Sequence, residues 1–152
     1  MTAGERSVTS NGALARLDRA ACLTLLSSRP VGRLVFTRRA LPDVIPVNYR
    51  LDGETLVIRL SSGSVAASAT KDAIVAFEVD ELDIESRTGW SVTVVGRARQ
   101  IVDEDELRRA ESLGLNSWVS DSRDLYVAIT AEKITGRRLF HTSDPSHPTD
   151  TE

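Results

Sequence analysis

The residues best suited to chemistry are Arg59 and the run Ser61, Ser62, Gly63, Ser64 that follows it. A strand that ends in small hydroxyl residues and opens a helix makes an anion site. Backbone N–H groups converge there, and serine hydroxyls donate as well. Arg59 at the strand end and Lys71 beyond the short helix add positive charge. The same residues also suit an ordinary Ser/Gly turn with an N-cap serine. Other chemistries are poorly supplied. The single cysteine, Cys22, falls on an apolar stripe and reads as a buried structural thiol. The two histidines, His141 and His147, lie in or beside a polar C-terminal tail. A Ser–His or Cys–His pair therefore has no histidine in the core to draw on. One cysteine and two tail histidines also make a poor zinc or haem set, and no metal is expected. The acidic run Glu78, Asp80, Glu81, Asp83 and Glu85 reads as a solvated strand end and loop, with Glu78 divided between an ion pair and a ligand contact. The Arg pairs at 38–39, 108–109 and 137–138 read as surface features, because neighbouring side chains on a strand or helix point apart.

These residues need a scaffold. The chain has 152 residues, enough for one domain with a real core. Hydrophobic residues make up 41% and aromatics only 5%, so the core must rest on Val, Leu, Ile and Ala. A net charge of −3 gives no electrostatic reason to expect nucleic acid as a partner. Nor does any apolar run approach the ~20 residues of a membrane span. With no signal-peptide pattern and no disulfide, the expected location is the cytoplasm. Residues 1–12 and 141–152 are too polar to offset their ordering entropy and are expected to be loose tails, with the folded domain over 13–140.

Within the domain, Leu14, Leu17, Ala21 and Leu25, widened by Cys22 and Leu26, predict a first helix that Pro30 ends. Strands are predicted over Val31–Thr37, Val44–Leu51, Thr55–Leu60, Ala73–Asp80, Trp90–Val102 and Leu125–Ile129, with a short one at Gly136–Phe140. Asp52-Gly53 signals a hairpin in which both central residues need positive φ. Pro46 inside a strand predicts an edge, a bulge or an opening, and Gly96 a bend. A short helix follows Ser64. Asp103 with Glu106 caps another that Gly114 stops. Short turns between strands give a mainly β fold, an antiparallel barrel with a few flanking helices.

Five segments together are similar to a known family. Val31-Gly32-Arg33-Leu34-Val35-Phe36, Ile45-Pro46-Val47-Asn48-Tyr49, Leu60-Ser61-Ser62-Gly63-Ser64, Ala76-Phe77-Glu78-Val79-Asp80 and Gly89-Trp90-Ser91-Val92, with Val94-Val95-Gly96-Arg97-Ala98 after it, occur in that family's order. The chain resembles small actinobacterial-type members of the pyridoxamine 5′-phosphate oxidase-like, flavin-binding split-barrel superfamily. The resemblance implies a six-stranded antiparallel split barrel that pairs into a homodimer with FMN in a groove at the interface. It implies that Val47, Asn48 and Tyr49 lie along the isoalloxazine ring and that Ser61, Ser62, Gly63 and Ser64 cradle the phosphate. Trp90, Ser91 and Val92 are then expected to approach the ring, with Trp118 and Arg137 completing the partner's pocket. One position departs from the family. A lysine or arginine often follows the Gly-Ser of the phosphate turn, whereas this chain has Val65. That removes a charge-assisted contact worth ~1.5–3 kcal/mol, or roughly one to two decades of affinity, which Arg59 or Lys71 is placed to replace. The implied function is a flavin-dependent oxidoreductase acting on a small molecule. The alternatives are a split barrel that takes deazaflavin and a non-catalytic flavin-binding dimer.

Overall fold

The structure, a computed structural model, describes residues 7–9, 12–116 and 124–141. In chain order the elements are β1 Ser7–Thr9, β2 Gly12–Leu17, α1 Arg19–Leu26, β3 Val31–Arg38, β4 Leu41–Asp52, β5 Thr55–Ser61, α2 Val65–Ala69, β6 Ala73–Asp83, β7 Thr88–Gln100, α3 Glu104–Ser112, β8 Asp124–Thr130 and β9 Lys133–His141. The strands make one sheet in the order β1-β2-β9-β7-β6-β3-β4-β5-β8, and β7 also pairs with β8. That last pairing closes β3 to β8 into a six-stranded antiparallel ring, while β9, β2 and β1 continue outward from β7. The barrel is split along β7. Gly89–Val95 pair with β9, and Ala98–Gln100 pair with β8.

Strand alternation fills the interior. Leu34, Tyr49, Leu56, Ile58, Phe77, Val92, Val94 and Ile129 are sealed from solvent in one cluster. The ring of Tyr49 packs edge-on against Phe77 with centroids 4.8 Å apart, and its hydroxyl donates to the Leu26 carbonyl of α1. Burial pushes the Tyr49 phenol up to about 12. A second cluster of Val57, Ile101, Ala110, Leu115 and Ala128 seats α3 on the outer face of β5 and β8.

Several elements differ from expectation. Leu14 and Leu17 belong to a strand, not to the first helix, because Gly12–Leu17 hydrogen-bonds along β9. The helix begins only after Asp18, whose side chain accepts from Ala21 N at 2.8 Å. β4 starts at Leu41 rather than Val44. β6 runs on to Asp83 and β7 starts at Thr88, so part of the acidic run is hairpin rather than loop. β7 also stops at Gln100, short of the predicted Val102. At the β4–β5 hairpin Asp52 pairs with Thr55, and of Asp52 and Gly53 only Gly53 has positive φ.

The turn with two positive-φ residues is β3–β4. Arg38 pairs with Leu41, and the residues between them, Arg39 and Ala40, have φ of 50° and 65°. Side chains in this region cost ~1–2 kcal/mol each, so Ala40→Gly is expected to stabilise the protein by about 1 kcal/mol. Thermal melting should show a rise of ~2–4 °C.

Candidate functional site

The barrel wall opens between β4 and β5. Their ladder runs from Asp52↔Thr55 to Tyr49↔Ile58 and stops. Beyond it Ile45–Asn48 pair only with β3, and Arg59–Ser61 pair only with β8. Pro46 sits in this unpaired stretch, where it has no N–H to offer a neighbouring strand. The gap is a cavity of about 260 Å³. Ile45, Pro46, Val47 and Leu60 supply its apolar wall, and Asn48, Arg59, Ser61, Ser64, Asn116 and Asp124 its polar groups.

Those polar groups are held in place. Asn48 Nδ2 donates to the Asn116 carbonyl at 2.6 Å, and an Arg59 terminal nitrogen donates to the Leu115 carbonyl at 2.9 Å. The segment after α3 is thereby tied to both sides of the opening. Arg59 Nε lies 2.8 Å from Asp124 Oδ2, and the Asp124 side chain is only 4% exposed. Both atoms are buried, yet neither has an aligned hydrogen bond. The Arg59 guanidinium also sits 5.7 Å from the centroid of the Tyr126 ring. Arg59 therefore braces the cavity as much as it charges it.

The turn Ser61–Ser64 forms one end of the opening. Ser64 N donates to the Ser61 carbonyl at 3.0 Å, and Ser64 Oγ donates to the same oxygen at 2.7 Å. Ser64 Oγ also accepts from Ala67 N at 3.1 Å, capping α2. Ser62 and Gly63 are exposed at the tip, and Val65 is 39% exposed just beyond it. Lys71 is exposed but lines neither this cavity nor the one on the other side of the turn. That second cavity, about 470 Å³, lies between α2 and the β3–β4 turn and shares Ser64 with the first. Arg38 and Arg39 line it. Neither forms an ion pair among the described residues. Both are exposed, as expected of surface features. No local pattern announces which later loop a hairpin tip will face.

The remaining predicted residues fall elsewhere. The Tyr49 and Val92 side chains are sealed in the barrel core. Trp90 and Ser91 line a third cavity, of about 340 Å³, with Leu14, Glu78, Asp80, Leu82, Arg137 and Leu139. Trp90 is also buried in the core cluster with Val92, so within one chain the expected cofactor contacts are divided among the β4–β5 opening, the barrel core and the cavity beside β6, β7 and β9. Trp118 lies outside the described residues. Cys22 is buried, and burial pushes its thiol up, away from the reactive thiolate. Among the described residues no acidic, histidine and cysteine group is placed to hold a metal ion, and no helix is long and apolar enough to cross a membrane.

Glu78 is the group in these cavities that titrates near neutrality. Burial, together with a hydrogen bond and charge from Asp80, pushes its carboxyl up to about 7, against the pull of Arg33 at 3.3 Å. A pKa raised by folding stabilises the protein at low pH, and that contribution fades as pH climbs from ~4.3, the unfolded value, toward about 7. Glu78→Gln should therefore flatten the fall in melting temperature between pH 5 and pH 8. An unchanged pH profile would show that Glu78 is ionised across this range.

The comparisons with known proteins point the same way as the fold. The family model for pyridoxamine 5′-phosphate oxidase matches residues 18–138. An uncharacterised protein of Mycobacterium tuberculosis is 40% identical over 146 residues, covering 91% of this chain and 95% of the relative. Among solved structures, the FAD binding protein from Mycobacterium smegmatis is 32% identical with a TM-score of 0.71, covering 83% of this chain and 97% of that one. A pyridoxamine 5′-phosphate oxidase-like protein from Corynebacterium glutamicum is also 32% identical, with a TM-score of 0.74 and coverage of 84% and 98%. The split ring, the opening beside Pro46 and the matched span from 18 to 138 together place this chain in the pyridoxamine 5′-phosphate oxidase family.

Proposed function

We propose that the protein is an FMN-binding oxidoreductase that acts on a small molecule and works as a homodimer. The observation that carries this reading is the β4–β5 opening, which ends on the Ser61–Ser64 turn. Its donor set fits a flavin. The apolar wall of Ile45, Pro46 and Val47 suits a flat ring system, and the polar edge of Asn48 and Arg59 suits that ring's heteroatoms. Arg59 is held at this wall by its ion pair with Asp124 and its bond to the Leu115 carbonyl. Ser61 and Ser64 are the groups that would hold the phosphate. The likeness to an FAD binding protein at 32% identity supports a flavin of some kind.

When bound, the flavin supplies the hydride or electron transfer. The chain's own residues bind it, orient it and keep one side dry. Trp90, Ser91 and Arg137 stand apart from the opening on the same chain. A homodimer supplies them from the partner, which accounts for the division of the expected contacts. Deazaflavin is the second reading. It is favoured by Val65 in the phosphate turn and by the basic cavity at Arg38 and Arg39.

The test is the visible spectrum of freshly purified protein, followed by titration with FMN. Bands of bound oxidised flavin, or saturable quenching of FMN fluorescence, support the reading. A colourless protein indifferent to FMN overturns it. Binding of a deazaflavin in its place moves the assignment to the second reading.

A further inference from the structure

Two hairpin tips carry surplus charge of opposite sign. The β3–β4 tip presents Arg38 and Arg39, and the β6–β7 tip presents Asp83 and Glu85, all four exposed. None of them forms an ion pair among the described residues, and like charges this close repel. Asp43 and Arg87 offset one charge at each tip, which leaves the first net positive and the second net negative. The tips also match in shape. The β6–β7 tip carries Ile84, 88% exposed, beside Leu82, 58% exposed. Asp83 Oδ1 accepts from Glu85 N at 3.0 Å and from Ser86 N at 3.2 Å, so this tip is pre-formed. The β3–β4 tip borders the cavity of about 470 Å³, whose wall combines Arg38 and Arg39 with Val65, Ala69 and the hydroxyls of Thr37 and Ser68. That wall suits an apolar side chain flanked by carboxylates.

The topology sets the two tips at opposite ends of the barrel. β3 and β6 pair antiparallel, and each tip follows the C-terminal end of its strand. The acidic tip therefore cannot reach the basic cavity of its own chain. A two-fold axis between two copies exchanges the ends, so that both contacts form at once. We propose that the β6–β7 tip of one copy docks in the Arg38–Arg39 cavity of a second copy, with Ile84 against Val65 and Ala69 and with Asp83 and Glu85 facing the two arginines. The proposal rests on the homodimer reading and says which surfaces make the dimer. Leu82 of the same hairpin lines the cavity that holds Ser91 and Arg137, and the docking cavity borders the β4–β5 opening at Ser64. Docking the tip carries Ser91 and Arg137 toward the partner's opening, where the homodimer reading needs them.

The experiment exchanges charge across the contact in the full chain. Arg39→Glu and Glu85→Arg alter exposed side chains, and melting curves confirm that each variant folds. Each variant alone places like charges in both contacts of its dimer. Its dissociation constant by sedimentation equilibrium should rise at least ~10-fold. An equal mixture of the two variants restores opposite charge in both contacts of a heterodimer. Native mass spectrometry should then show heterodimer well above its statistical share. Ile84→Arg should also weaken the dimer, while Val102→Arg, at a residue 72% exposed just before α3, should not. Heterodimer at its statistical share, or single variants that associate like wild type, overturns the proposal. The two readings fail separately. A monomeric wild type removes the homodimer reading as well, whereas a dimer indifferent to all these changes keeps that reading and removes only the docking. If association ignores the charge changes while inorganic pyrophosphate raises the melting temperature of wild type but not of Arg38→Ala/Arg39→Ala, the docking is overturned and the cavity belongs to a small anion.

Discussion

Replacing Gly96 with alanine is expected to destabilise the protein by about 3 kcal/mol or more, at the upper end of the cost of overpacking a core. A Cβ at this position would lie 1.6 Å from the Thr130 carbonyl oxygen and 2.8 Å from its carbon. Both are backbone atoms, so no side chain can swing aside. The location explains the tightness. Just before Gly96, β7 pairs with β9 through Val95↔Lys133, and just after it with β8 through Ala98↔Ile129. The connection between β8 and β9 therefore crosses β7 where Gly96 leaves room. Thermal melting should show a fall of ~6–12 °C, given ~2–4 °C per kcal/mol for a chain of this size. Gly63→Ala is the control for stability. No atom lies within 4 Å of its added Cβ, so its melting temperature should hardly move. A Gly96→Ala protein as stable as wild type would mean that the two halves of β7 are not joined as described.

The second large effect is expected at Arg59. Its partner Asp124 is 4% exposed at the side chain, and Arg59 is the cation within ion-pair distance of it among the described residues. Arg59→Met leaves that carboxylate buried and unpaired, a loss of ~3–5 kcal/mol for a well-buried pair. The lower end applies here, because Arg59 itself is 27% exposed. The double variant Arg59→Met/Asp124→Leu should recover most of the loss, since a buried pair replaced by apolar groups is often neutral. Urea denaturation of the two single variants and the double variant measures this directly. A double variant no more stable than Arg59→Met would show that Arg59 stabilises the fold mainly through the Leu115 carbonyl and the Tyr126 ring.

Most of the barrel was legible because its strands alternate strictly. Leu34 and Phe36 in β3, Val75, Phe77 and Val79 in β6, and Val92 and Val94 in β7 are all buried, with more exposed residues between them. Asp103 and Glu106 announced α3, and the Asp103 side chain does accept from Glu106 N at 3.0 Å. Pro46, with no N–H to donate, announced an edge, a bulge or an opening, and it is an opening that lies there. The N-terminal region misled because Leu14, Leu17 and Ala21 suit a helical stripe, while the edge of β9 offered Gly12–Leu17 a hydrogen-bonding partner from more than a hundred residues away. Tertiary pairing outweighed local periodicity.

The candidate site was legible in part, and for a different reason. Ser61 and Ser64 carry a local signature, and both line the β4–β5 cavity. Tyr49 differs because strand alternation places it on the opposite side of the wall from Asn48. Its hydroxyl was needed to anchor α1. Arg38 and Arg39 are exposed, as expected of surface residues, and their facing Ser64 across a cavity is created by the barrel rather than by sequence neighbours.

The measurement that tests the central claim most directly is the affinity of the Ser64→Asp variant for FMN and for riboflavin. Aspartate caps a helix as well as serine does, so α2 should keep its Ala67 N–H bond; the Oγ bond to the Ser61 carbonyl is lost, and a melting curve checks that the fold is kept. The added negative charge, however, sits where the account puts the phosphate. FMN should bind ~10- to 100-fold more weakly than to wild type, the scale of losing a charge-assisted contact, while riboflavin, which has no phosphate, should bind as before. An FMN affinity untouched by Ser64→Asp, or an equal loss for riboflavin and FMN, would contradict the placement of the flavin phosphate at this turn.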